Sequence, residues 1–121
     1  MRALAVLFAL TLWACAPAQP DADDAAAPAP RALPDDPREL LIECGGALVA
    51  QHGLDPAAAA PTLGTPAETA YWTVLALMDK EPGLEGAAGK AAAAARAATW
   101  ATRPAGDRAE RAALCLARFQ G

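Results

Sequence analysis

Three short stretches repeat one pattern, and it narrows the fold of this chain more than any other feature. In Asp36-Pro37-Arg38-Glu39, Thr65-Pro66-Ala67-Glu68 and Asp107-Arg108-Ala109-Glu110 a side-chain acceptor stands three residues before a glutamate, and an apolar run follows. An Asp or Thr at a helix N-cap accepts a hydrogen bond from one of the backbone N–H groups that the first turn leaves unpaired. The glutamate completes a capping box, and proline at the first helical position, present in two of the three, is preset for the helix. Three such starts in a short chain predict an all-α domain, a small bundle of about four helices.

The first helix is predicted from Pro37 to about His52, with Gly53 able to take the left-handed conformation that stops it. Leu40, Leu41, Cys44 and Leu48 share one stripe. Gly45 and Gly46 each disfavour a helix interior by up to ~1 kcal/mol, so either a neighbouring helix crosses closely there or the helix kinks. A loop rich in Pro and Ala follows, from Leu54 to Gly64. The second helix runs from Pro66 to about Lys80, closed by Pro82-Gly83. Tyr71, Trp72, Val74, Leu75, Leu77 and Met78 surround it, which makes it the expected buried centre of the bundle. The third, from about Leu84 to Arg103, is mostly alanine, with Lys90, Arg96 and Arg103 facing water and Trp100 as its large anchor. After Pro104-Ala105-Gly106 the last helix, Arg108 to Phe119, puts Ala112, Cys115, Leu116 and Phe119 on one face.

Ahead of this domain, a short positive start (Met1, Arg2) leads into an apolar run that ends in Leu12-Trp13-Ala14-Cys15. Spanning a bilayer as a helix takes roughly 20 apolar residues, and this run is about half that length. The four residues resemble the lipobox of bacterial lipoproteins. That resemblance implies a signal peptide over 1–14, cleavage before Cys15 and lipid on Cys15, so that the mature chain is held on an envelope membrane. Because Ala16 and Pro17 follow the cysteine rather than aspartate, the resemblance implies the outer membrane, facing the periplasm. The alternative is release as a soluble secreted protein by cleavage after Ala18, at Ala16-Pro17-Ala18.

Residues 15–36 read as a disordered tether. They are nearly all Ala, Pro and Asp, with too little apolar surface to offset the entropy of folding. Five aspartates (Asp21, Asp23, Asp24, Asp35, Asp36) face a single arginine, Arg31, so most of the formal charge of −4 sits here. The domain, 37–121, is left nearly neutral. With no basic face to draw in a phosphate backbone, nucleic acid is not an expected partner.

Once Cys15 is assigned to lipid, Cys44 and Cys115 remain as an even pair in an oxidising compartment, and each lies on an inward stripe. A disulfide between them is expected to close the bundle, and a redox couple is the alternative. No spacing points to catalysis, a metal or a cofactor. The single histidine, His52, ends a helix, and Glu39, Glu68 and Glu110 are taken up as caps. Glu43, Asp79, Glu81 and Glu85 remain without a pattern that marks an acid and base pair. Tyr71, Trp72 and Trp100 are the candidates for a binding face, against the simpler reading that they fill the core. The expected role is non-enzymatic: a lipid-anchored domain that binds or scaffolds another envelope protein. A secreted chaperone or small-ligand binder is the alternative.

Overall fold

The computed structural model describes residues 32–120. The expected signal peptide, Cys15 and most of the expected tether lie outside the described residues. Among the described residues the chain forms four α-helices and no strand: α1 (Pro37–His52), α2 (Pro66–Met78), α3 (Ala87–Ala101) and α4 (Ala105–Phe119).

The first two helices start where the capping residues place them. Asp36 Oδ2 accepts the Glu39 N–H at 2.9 Å, and Thr65 Oγ1 accepts the Glu68 N–H at 3.1 Å. In neither box does the glutamate turn back to its own cap. Glu39 pairs with Arg96 at 2.7 Å, and Glu68 accepts from the loop before the helix. Gly53 ends α1 at φ 63°, its N–H donating to the Val49 carbonyl.

The other boundaries shift inward or outward for local reasons. α2 stops at Met78, two residues early, because the Lys80 and Glu81 N–H groups tighten onto Leu77 and Met78 ahead of Pro82. α3 starts at Ala87 rather than Leu84. Gly86 holds φ 55° and ψ −125° outside the helix, and its N–H donates to Asp79 Oδ1 at 2.8 Å. The third capping box does not act as one. α4 opens at Ala105 behind an extended Pro104, the Arg108 N–H already reaches the Pro104 carbonyl at 3.1 Å, and Asp107 sits inside the first turn. There its charge favours the positive end of the helix without capping it.

The centre of the bundle is α1, not α2 as the large side chains of α2 suggested. No residue from Glu39 to Gln51 is exposed, and α1 touches each of the other three helices. α2 instead leaves Thr69, Thr73, Ala76 and Leu77 open to solvent. The reason lies in Gly45 and Gly46. A Cβ on Gly45 would stand 3.1 Å from the Ala93 Cβ, and one on Gly46 would stand 2.5 Å from the Arg96 Cβ and 2.9 Å from the Ala97 backbone nitrogen. The glycines thus mark a close helix crossing rather than a kink, and the alanine face of α3 supplies the other half of it.

Cys44 and Cys115 are joined, as expected, with their α-carbons 5.2 Å apart and both side chains fully buried. The bond ties α1 to α4 across a separation of 71 residues. Closing a loop of that size removes about 4 kcal/mol of unfolded-chain entropy in the polymer model.

The crossing yields a prediction whose sign opposes helix propensity. Propensity alone gains about 1 kcal/mol for Gly46→Ala. The added methyl has to displace α3 from α1, so the net effect should be a loss of about 1 to 3 kcal/mol, as for an overpacked core. Urea unfolding of the single variant checks it, and a stabilised protein would refute the close crossing.

Candidate functional site

Successive helical residues are turned by 100°, so Tyr71 and Trp72 cannot share a face. Tyr71 points into the core with 1% of its surface exposed, while Trp72 is only partly buried. The two rings meet edge to face with centroids 6.4 Å apart. Trp100 lies elsewhere, buried, its Nε1 donating to Glu43 Oε1 at 3.2 Å. The three aromatics therefore do not form one surface, and Trp72 alone of them opens outward to a substantial degree.

Three polar side chains build the ground around Trp72 by holding down the loop between α1 and α2. The Tyr71 hydroxyl donates to the Pro56 carbonyl at 3.3 Å. Lys90 Nζ donates to the Ala58 carbonyl at 2.9 Å and stands 5.4 Å from the centre of the Trp72 ring. Glu68 accepts three backbone N–H groups, from Thr62 at 2.8 Å and from Leu63 and Gly64 at 2.7 Å each. The sequence placed Lys90 in water; folding returns it to the loop instead, because an ammonium with three donors finds both a carbonyl and a ring face within reach.

These contacts set the electrostatics. The Thr62 N–H, opposed by burial and aided by those of Gly64 and Leu63, holds the Glu68 carboxyl below its ordinary 4.5. Burial, reinforced by the charge of Asp55, pushes the Tyr71 phenol up to about 12.

Trp72 stands where shallow hollows converge. One of about 220 Å³ lies beneath the loop, between Leu54, Asp55, Glu68, Tyr71 and Trp72. Another of about 270 Å³ runs from Trp72 and Ala76 to Gly86 and Lys90. A third, about 470 Å³ and mainly apolar, continues past Lys90 between Pro56, Ala57 and the alanines Ala87, Ala91 and Ala94. Trp72 is shared by the first two and Lys90 by the last two.

On another part of the bundle, a charged cluster adjoins the disulfide. Glu43 Oε1 accepts from Arg96 at 2.8 Å, and Glu43 Oε2 pairs with Arg111 Nε at 3.3 Å. Arg111 also donates to the Ala32 carbonyl at 3.1 Å, fastening the residues that lead into α1. Glu43 precedes Cys44 and Arg111 lies one turn before Cys115, so the ionic and covalent links between α1 and α4 are neighbours. Among the described residues no cluster of His, Cys, Asp and Glu is placed to hold a metal, and no helix is long and apolar enough to cross a membrane. Cys15 lies outside the described residues.

Sequence reasoning missed Glu43 and Lys90. Glu43 had no local signal, since Arg96, Trp100 and Arg111 lie 53 or more residues away along the chain. Lys90 had one: with Arg96 it is one of only two cations in a long alanine run. Comparison with known protein families, curated proteins and solved structures gives no match.

Two outcomes follow from these groups. Glu43→Ala takes the carboxylate from Arg96, a nearly buried Arg111 and the Trp100 indole, and should cost about 3 kcal/mol in denaturant unfolding. Glu43→Gln, which keeps an acceptor, should recover part of that; a loss under ~1 kcal/mol for alanine would show that the cluster is dispensable. Glu68 gives a pH signature. Its folded-state pKa is depressed, so its stabilisation is complete above the unfolded value and fades as pH falls through the folded one. The melting temperature of wild type should exceed that of Glu68→Gln at neutral pH. The gap should close below the ordinary 4.5, and a gap that persists unchanged in acid would contradict the assignment.

Proposed function

We propose that this chain is a bacterial envelope lipoprotein, anchored through lipid on Cys15, whose helical domain is a non-enzymatic docking module for another envelope protein. Leu12-Trp13-Ala14-Cys15 supports the anchor. The observation that carries the docking role is Trp72, a partly exposed aromatic shared by two hollows, one of which continues past Lys90 into a mainly apolar one walled by alanine and glycine. Interface hot spots favour an aromatic centre within surroundings that shed water readily, and small side chains let a partner backbone come close. The fully buried disulfide is consistent with life outside the cytosol.

Two or three acyl chains give stable anchoring where one gives only marginal binding, so the mature protein stays with outer membranes through high-salt washing. Metabolic labelling with a clickable fatty acid should mark wild type and not Cys15→Ala, which should move to the soluble periplasmic fraction. Wild type found in that soluble fraction would favour the secreted alternative, with cleavage after Ala18. For the docking role, a photo-crosslinker at the exposed Ala91 should capture a discrete envelope protein, and one at the exposed Ala113 on α4 should not. Equal capture from both positions would remove Trp72 from the centre of the interface.

A further inference from the structure

We propose that the hollow beneath the loop is a binding site for a small organic cation, a primary or quaternary ammonium, which competes with Lys90 for the Trp72 ring. This site lies under the loop rather than on the alanine surface, and its ligand is independent of both membrane attachment and the protein partner.

The lining has the chemistry of cation recognition. Two aromatic rings, Tyr71 and Trp72, stand at 80° to one another, and the carboxylates of Asp55 and Glu68 share the same hollow. Ring faces attract an ammonium through their quadrupole, and carboxylates do so through charge. No lysine or arginine lines the hollow, so its charged groups are both negative. Asp55 acts electrostatically within it, since its charge helps to push the buried Tyr71 phenol up. Glu68 stays ionised because Thr62, Leu63 and Gly64 present three N–H groups to it.

The protein already satisfies this chemistry from inside. The Lys90 ammonium lies against two residues of the lining, 5.4 Å from the Trp72 ring centre and 2.9 Å from the Ala58 carbonyl. It lines the two neighbouring hollows and not this one, which stays open at about 220 Å³, so a ligand here and Lys90 would share the Trp72 ring from adjoining spaces. That volume is below the roughly 300 Å³ at which pockets for drug-sized ligands begin, which limits the ligand to a few heavy atoms around one nitrogen. Lys90 is thus an internal competitor, and removing it should improve binding rather than impair it.

That inversion makes the test specific. The full-length chain carrying Cys15→Ala is titrated with tetramethylammonium, with choline, and with the neutral carbon isostere of choline, following the Trp72 indole N–H by nuclear magnetic resonance. Both cations should give saturable shifts and the neutral isostere none. Lys90→Met should tighten choline binding about two- to fivefold, the worth of a partly exposed cation–π contact. Asp55→Asn should weaken it: the amide oxygen can still accept the Ala57 N–H, now 2.9 Å from Asp55 Oδ1, while the charge is gone. A short-chain phosphatidylcholine below its micelle concentration separates the sources. Binding of choline alone assigns a free cation, and binding of both assigns a lipid headgroup as well. Equal shifts with the neutral isostere, no saturation with either cation, or a Lys90→Met variant that binds no better would overturn the site. Because Lys90→Met and Asp55→Asn leave the core untouched, neither result depends on whether a Trp72 variant folds.

Discussion

The approach of α3 to α1 at Gly46 is the constraint on which the rest of the bundle depends. With a Cβ there 2.5 Å from the Arg96 Cβ, the two backbones could not lie where they do. Their closeness puts Arg96 beside Glu39 and Glu43 and carries the Trp100 indole to the same carboxylate. It also explains why α1, with Gly45, Gly46 and Ala47 at its centre, occupies the middle. α1 contributes little volume at its centre, and its neighbours can therefore converge on it from every side. The conformational cost of two helical glycines, about 2 kcal/mol together, is offset by dispersion contacts that only close backbones can make.

Beside that crossing, covalent and ionic links divide one task. The disulfide acts mainly by restricting the unfolded chain and is indifferent to the direction of the Glu43 and Arg111 side chains. The charged cluster is directional: it holds α4 at one rotation about its axis and, through the Ala32 carbonyl, ties down the chain just before α1. A buried ion pair is weak support for stability when compared with an apolar replacement, yet strongly destabilising when one partner is removed.

What was legible in the sequence follows from the range of each interaction. Asp36, Thr65 and Gly53 act within four residues of their own position, and each marks its helix end as read. The Cys44 to Cys115 link was legible by elimination, since one cysteine was assigned elsewhere and the other two lay on inward stripes. Asp107 failed because the competing signal, Pro104 and its extended backbone, opened the helix three residues earlier. The bundle centre failed for a deeper reason. Apolar stripes register side chains, and what places α1 in the middle is the absence of side chains at two positions. Glu43 joins partners distant in the chain, and no local pattern encodes such a junction.

The surface around Trp72 is held differently from the core, and this bears on function. The long loop between α1 and α2 buries Leu54, and its other described tethers are polar: a phenol on a carbonyl, an ammonium on a carbonyl, and a carboxylate on three N–H groups. Such contacts act by completing backbone hydrogen bonds that a proline-rich loop cannot make for itself. Segments held this way open at lower free energy than a disulfide-bonded core. A loop of this kind can therefore yield to a ligand without disturbing the crossing of α1 and α3. The rigid part of the molecule supplies position, and the pinned loop, with Trp72 and Lys90 at its edge, supplies a surface whose own contacts a partner can replace.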